Sequence, residues 1–298
     1  MGKNSSIGKV FLVLSALIWG CGLVAQKNGM NHLGPFAFTA IRCSLGGVSL
    51  LPLVWFMEKK KSTSGKSSNP KPDRAVTFKA SVICGLALAA IILFQQTGIS
   101  YTTVGKAGFI TGLYIIITPI LERVLGKQIS KNVWISAAIG LIGLAMLTLS
   151  GGIEGLTIGD VLMLGGAFSA AVHIIVIDKW VRYVDSVKLS CYQFLVAGVL
   201  YIPFAVIFET TTWEAVISCA VPILYTGLLS CGMGYTLQTL GQRSTPPSQA
   251  SLILSLETVF TLLAGMLFLN EMMTGMEYAG CAVMFAAILL SQKKDRKL

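Results

Sequence analysis

The chain has 298 residues, 54% of them hydrophobic and 12% charged, with a mean hydropathy of +0.74. Soluble domains carry about 25% charged residues, so this composition excludes a soluble globular protein, and the number of long apolar runs excludes a soluble domain on a single anchor. A net charge of +10 in a soluble chain would point to nucleic acid; here the distribution of that charge argues against such a partner.

Lys3 and Lys9 precede an apolar run from Val10. The arrangement has the first two regions of a signal peptide but no A-x-A cleavage site, and the run has a counterpart later in the chain, so it reads as an uncleaved first span. A helix needs about 20 apolar residues to cross a bilayer. Ten runs qualify, at 8–26, 35–57, 76–97, 104–122, 132–149, 158–178, 189–208, 215–237, 247–269 and 275–291. Most connections are short. The exception, 58–79 (EKKKSTSGKSSNPKPDRAVTFK), is polar, basic and rich in Ser and Pro, as a solvated loop should be. When alternate loops are assigned to alternate sides, every basic residue but Lys27, Arg42 and Lys106 falls on the side of the N-terminus. This positive-inside pattern places both termini in the cytoplasm. The seven cysteines lie singly, nearly all in apolar runs and without metal spacing, so they read as small buried residues; no metal and no cofactor are expected.

The chain carries the same unit twice. Thr103–Gln128 and Pro246–Glu271 share one offset, with Ala107 on Ala250, Leu113 on Leu256, Tyr114 on Glu257 and Thr118 on Thr261. GKVFLVLSALIWG (8–20) aligns with GDVLMLGGAFSAA (159–171), and at that offset Gly47 meets Gly198, Val48 meets Val199 and Pro52 meets Pro203. Spans one to five repeat as spans six to ten. An odd number of spans per unit inserts the second copy from the opposite face. The expected fold is all-α: ten transmembrane helices as two inverted five-helix repeats, 1–150 and 151–298.

The ordered motifs ALIWG (16–20), IRCSLGG (41–47), YTTVGKAGFITGLYIIITPIL (101–121), SLETVF (255–260) and LNE (269–271) resemble the EamA type of the drug/metabolite transporter superfamily over nearly the whole chain. The resemblance implies a multi-pass carrier of a small molecule in the lipid bilayer. The membrane is expected to be a bacterial cytoplasmic (inner) membrane, and because a duplicated half within one chain removes the need for a dimer without excluding one, a monomer or homodimer is expected. The family often has proline after the glutamate of the ninth span. Here Thr258 follows Glu257, which puts a family-type kink in doubt. Gly126–Lys127–Gln128 stands where a Gly–Glu ending is common, a change expected to affect only a loop contact.

Polar groups in lipid need partners, and the repeat pairs several of them: Arg42 with Gln193, Gln95 with Gln238, Lys106 with Gln249, and Tyr114 with Glu257. With Tyr235 as a wall, these residues are the candidate substrate-binding set, converging on a central, partly wet cavity. Glu257 lies ten residues into its span, about 15 Å deep at 1.5 Å per residue, near the midplane of a core about 30 Å thick. It either meets a substrate amine or a proton, or is a structural acid paired with Arg42 or Lys106 or capped by Thr111 or Thr261. Arg42 reads as a fork for a carboxylate or phosphate with Lys106 as a weaker second cation, or both as structural ion pairs or snorkelling groups, the reading favoured for Lys106. His173, with Gly22 as its mate, is a possible proton relay alongside Glu257 or a packing histidine. No common enzyme signature is present. The expected function is alternating-access secondary transport of a small polar or amphipathic metabolite, such as an amino acid or a drug. The alternative is a membrane-embedded enzyme acting on a lipid or apolar precursor, for which His173, Asp178 and Glu257 are too scattered.

Overall fold

The computed structural model describes residues 2–29, 33–63, 73–99, 101, 102, 104–149, 155–269 and 272–293. Part of the basic loop, at 64–72, and the Asn270–Glu271 end of the LNE motif lie outside them. Ten helical segments follow in order: α1 (Gly2–Gly29), α2 (Pro35–Thr63), α3 (Arg74–Ile99), α4 (104–124), α5 (Lys131–Thr148), α6 (Ile158–Trp180), α7 (Ser186–Phe208), α8 (213–242), α9 (247–269) and α10 (Gly275–Ser291). Eight of them contain a stretch long and apolar enough to cross a membrane, and α1 and α10 hold shorter apolar stretches. The protein is a multi-pass, all-α membrane protein built as two inverted five-helix repeats. Hydrocarbon gives a backbone N–H or C=O no partner, so a helix, which satisfies its own, is the natural way across.

Helix ends that reach water are closed by side chains. Ser130 accepts from the Val133 amide, Asp185 from that of Val187, and Thr157–Asp160 and Thr274–Glu277 form reciprocal capping boxes on α6 and α10. Caps, rather than the ends of the apolar runs, set where these helices begin. That is why α7 starts at Ser186 and not at 189. The outer surface is apolar, with Trp55, Phe56, Val206 and Phe208 exposed, while Thr39, Ser136, Ser190 and Gln193 are buried inside. Lys9 Nζ donates to Gln292 Oε1 (3.1 Å) and Asn132 Nδ2 to the Lys293 carbonyl (3.2 Å). These bonds put the start of α1, the start of α5 and the end of α10 on one face, called here the terminal face.

The inversion is visible where α2 crosses α7. A Cβ on Gly47 would lie 2.7 Å from Leu195 Cδ2, and a Cβ on Gly198 would lie 2.5 Å from Ser44 Oγ and 2.9 Å from the Ser44 backbone nitrogen. Gly47 and Gly198 are repeat mates, and so are Ser44 and Leu195, so each helix presents the same small notch to the other. The same register relates Glu58 to Glu209 and Ala37 to Lys188. Glu58, near the C-terminal end of α2, pairs with Lys188. Glu209, just past α7, accepts from the backbone N–H groups of Phe36 (2.9 Å) and Ala37 (2.7 Å). Two carboxylates at mated positions thus tie the two ends of one antiparallel helix pair.

The apolar interior divides in a way that cuts across the repeat. One packed cluster joins α1, α4, α5, α6, α9 and α10, through residues such as Leu12, Ile115, Leu144, Ile174, Leu252 and Met284. Another joins α2, α3, α7 and α8, through Cys43, Leu88, Phe194 and Cys231. Each cluster takes helices from both halves as mated sets. Trp19 packs against the first and Tyr235 against the second, and their rings meet with centroids 4.4 Å apart.

Overpacking the α2–α7 notch should cost about 1–3 kcal/mol. Gly198→Val is expected to lower the melting temperature of detergent-purified protein, whereas Gly275→Ala, where an added Cβ meets nothing within 4 Å, should leave it unchanged.

Candidate functional site

The helices that carry the candidate residues are interrupted beside them. α4 consists of Val104–Gly112 and Tyr114–Val124, and α9 of Pro247–Leu254 and Leu256–Leu269. The joints, Leu113 (φ −58°, ψ −15°) and Ser255 (φ −65°, ψ −10°), lie within one residue of being repeat mates and depart from α-helical ψ toward the tighter 3₁₀ form. Ile116 N donates to Leu113 O at 3.0 Å and Thr258 N to Ser255 O at 3.2 Å, both i to i−3 bonds. Residue 258 is not proline, yet the break is present. Ser255 Oγ donates to the Leu252 carbonyl at 2.7 Å, a side chain competing with the helix's own ladder. Beyond each joint the mates Thr118 and Thr261 donate to the carbonyls of Tyr114 (2.7 Å) and Glu257 (2.8 Å). Thr261 therefore caps a backbone carbonyl and not the Glu257 carboxylate.

Glu257 sits in the first turn of the second α9 segment, where the helix dipole favours negative charge. It is half-buried and lies within electrostatic reach of Tyr114 and Tyr235. α1 closes one side of it, because a Cβ on Gly20 would lie 2.8 Å from the Glu257 carbonyl oxygen. Only glycine at the end of ALIWG allows that approach.

Tyr235 is the hub of the site. Its ring meets those of Trp19 (4.4 Å), Phe194 (4.9 Å) and His173 (6.0 Å). It follows a ten-residue π-helix, Tyr225–Gly234, a form that concentrates at functional sites. The Ser230 carbonyl there accepts both the Tyr235 amide and the Trp19 indole N–H (3.3 Å). His173 Nε2 lies 3.1 Å from Gln193 Oε1. An amide oxygen only accepts, so this contact assigns the proton to Nε2. Gln238, 2% exposed, is one turn below Tyr235 on α8. Arg42, 9% exposed on α2, stacks over Phe38 at 5.8 Å and lies within electrostatic reach of Tyr235 and Tyr201.

The expected residues therefore separate. Arg42, Tyr114, His173, Gln193, Tyr235, Gln238 and Glu257 gather where the two packed clusters meet. Three others are placed elsewhere. Lys106 pairs with Asp160 at 2.7 Å and donates to the Gly155 carbonyl at 2.8 Å, tying α4 to α6 on the face opposite the termini. Gln249 donates to the Ser291 carbonyl (2.9 Å), toward α10. Gln95 lies against α6, where a Cβ on Gly166 would meet its Cγ at 3.3 Å. Two recesses lie away from the cluster: one of about 170 Å³ between Pro35, Phe36, Gln96, Thr97 and Tyr101, and one of about 370 Å³ beside Lys9 and Gln292.

On the terminal face, sequence reasoning missed a second polar assembly. Glu122, 2% exposed, accepts from the Ser248 amide (2.9 Å) and from the Ser248 hydroxyl, closing the N-terminus of α9 from α4. Lys127 bridges Glu122 (3.0 Å) and Asp178 of α6 (3.2 Å), and Arg182 pairs with Asp178 at 3.2 Å. Burial pushes the Lys127 ammonium down, but the two carboxylates outweigh it and hold its pKa above 10.5. The lysine in place of the common Gly–Glu ending thus does more than alter a loop contact. Among the described residues, no three His, Cys, Asp or Glu side chains are placed to hold a metal.

Comparison with known proteins matches this architecture. The model of the EamA-like transporter family fits twice, at residues 6–149 and 157–292. An uncharacterized transporter of Archaeoglobus fulgidus is 29% identical over 94% of this chain and 83% of its own length. The uncharacterized transporter YoaV of Bacillus subtilis is 26% identical over 88% of this chain and 89% of its own. One solved structure, described only as the crystal structure of a protein, superposes with a TM-score of 0.79 over 96% of both chains at 16% identity, a likeness of fold.

Removing Glu122 strips the cap from α9 and leaves Lys127 facing one buried acid instead of two. Glu122→Ala should cost about 3 kcal/mol, in the range for breaking a buried charge pair, read as a lower melting temperature. Lys127→Met, whose side chain is 42% exposed, should cost about 1 kcal/mol because solvent already screens it.

Proposed function

The chain belongs to the EamA-like transporter family, and from that premise we propose that it is a secondary transporter for a small amine-bearing zwitterion of the amino-acid type, or a related amphipathic metabolite, working by alternating access. The observation that carries this reading is Glu257: a half-buried carboxylate at mid-span, at a helix N-terminus, near an aromatic wall of Tyr114 and Tyr235. Among the described residues it has no salt-bridge partner. A substrate ammonium would supply that partner, with the rings of Trp19 and Tyr235 adding cation–π attraction. Arg42 would take the substrate carboxylate. A carboxylate in this setting can also carry a proton when no substrate is bound, which is the basis for coupling to a proton gradient.

The positive-inside rule makes the terminal face cytoplasmic, in a bacterial cytoplasmic membrane. On that reading the Glu122–Lys127–Asp178–Ser248 assembly closes the cytoplasmic side. It joins α4, α6 and α9, and the second segment of α4 packs on the first segment of α9, whose residues 247–254 are buried except for Gln249. From Glu257 to Leu263 most side chains are only half-buried. The assembly would have to separate for release inside.

Transport in proteoliposomes tests the proposal. Saturable uptake of radiolabelled amino acids is expected, and Glu257→Gln should reduce it at least about tenfold, the scale of losing one charge-assisted hydrogen bond. Flux that persists unchanged in Glu257→Gln and ignores a pH gradient would remove both roles of Glu257. A chemically altered product would favour the enzyme instead. For sidedness, in a cysteine-free background, Leu156→Cys (93% exposed) should react with an impermeant maleimide from outside. Leu125→Cys (64% exposed) should react only after permeabilisation.

A further inference from the structure

We infer that His173, Gln193 and Gln238 form a second binding subsite, for a primary carboxamide or another group that offers a donor beside an acceptor. The inference deepens the reading of Glu257 as a substrate contact and rests on it. Gln193 and Gln238 are 0% and 2% exposed. Among the described residues Gln193 Nε2 has no hydrogen-bond acceptor and Gln238 Oε1 has no donor. A buried amide group left without a partner is costly. Here the two unpaired atoms are of opposite kind, one an N–H donor and one a carbonyl acceptor.

Other contacts fix where these groups point. Gln193 is held by His173 through its oxygen at 3.1 Å, so its nitrogen is the end left to bind. Gln238 lies on one helical stripe with Tyr235 three residues before it and Gln242 four residues after it. Tyr235 touches the His173 ring, with centroids 6.0 Å apart, and Gln242 Nε2 donates to the Ile174 carbonyl at 2.8 Å. Gln238, between them, therefore faces α6 at the level of His173. Below it, Ser190 and Thr239 hydrogen-bond to each other (3.2 Å) and fasten α7 to α8, so the two glutamines are set on fixed backbones.

A primary carboxamide complements the pair. Its carbonyl accepts from Gln193 Nε2–H and its N–H₂ donates to Gln238 Oε1. Tyr235 neighbours both His173 and Glu257, so a zwitterion anchored at Glu257 would direct its side chain past this ring. Rotation of the half-buried Tyr235 side chain would admit the amide. The subsite would thus favour amino acids that end in a carboxamide over aliphatic ones of the same length.

The test uses L-glutamine and L-norleucine, side chains of similar length with and without the amide, as stabilising ligands in thermal unfolding of the purified full-length protein, where binding to the folded form raises its melting temperature. L-Glutamine is expected to bind about tenfold tighter or better, because a site built to hydrogen-bond rejects an analogue that cannot. Gln193→Met and Gln238→Met should each erase that preference while keeping the binding of L-norleucine. Equal binding of the two ligands to the wild-type protein, lost in Glu257→Gln, would overturn the subsite, leaving an ordered water as its occupant, and would leave the role of Glu257 standing. If neither ligand binds, the subsite and the zwitterion reading fall together. The wild-type comparison decides even if a variant does not fold.

Discussion

Hydrocarbon neither solvates a charge nor supplies a hydrogen bond, and the placement of every polar group in this protein follows from that. The cost of an unanswered polar group in lipid is several kcal/mol. At the two membrane surfaces the answer is local. Glu209 takes the free N–H groups at the start of α2, Glu122 takes one from α9, and Asp160 takes Lys106 and the Thr157 amide. These contacts set the ends of the helices and fasten α2 to α7, α4 to α9 and α4 to α6. At mid-depth several polar groups come together between the packed clusters. There His173 and Gln193 answer one another, while among the described residues Glu257 has no salt-bridge partner and Gln193 Nε2 and Gln238 Oε1 have no hydrogen-bond partner.

The two packed clusters matter because neither is a sequence half. The repeat suggests that spans one to five form one body and spans six to ten another. The packing instead draws α1, α4, α5, α6, α9 and α10 into one cluster and α2, α3, α7 and α8 into the other, while α3 also packs on α6 and α1 on α8. The two clusters meet along a boundary that the α3–α6 and α1–α8 contacts cross. The Trp19–Tyr235 ring pair lies on that boundary, and so does the site. The repeat mates then have a simple mechanical meaning: inverting the molecule maps each cluster onto itself and exchanges the two faces of the membrane.

Most of the fold was legible in the sequence, because hydrophobic length, charge asymmetry and the doubled motif report on the bilayer directly. Gly47 and Gly198, aligned as mates, do pack as mates. The site was legible only in part, and the reason is geometric. The repeat identifies Lys106 and Gln249 as mates, but these positions lie at opposite surfaces and away from the axis, so equivalence did not bring them together. Asp160 lies one turn into α6 in the sequence, and nothing there marks it as the partner of Lys106. Glu122 was hidden for another reason. At the end of an apolar span, next to Arg123, an acid reads as an ordinary boundary residue, and only the packing of α9 against α4 shows that it closes a helix.

The missing proline carries the last step. A proline after Glu257 would have made the interruption of α9 predictable, since it removes a ladder bond. This chain reaches the same interruption with Ser255, whose hydroxyl binds the Leu252 carbonyl, and with Gly112 and Leu113 at the corresponding place in α4. The two joints therefore do not depend on one residue type. What they share is position: Leu113 immediately precedes Tyr114 and Ser255 lies two residues before Glu257, the residues that meet the cluster boundary. A helix broken at that depth places the positive end of its second segment at mid-membrane, next to Glu257. The break and the acid thus sit together, and the mated position in the other half carries Tyr114 rather than a second acid.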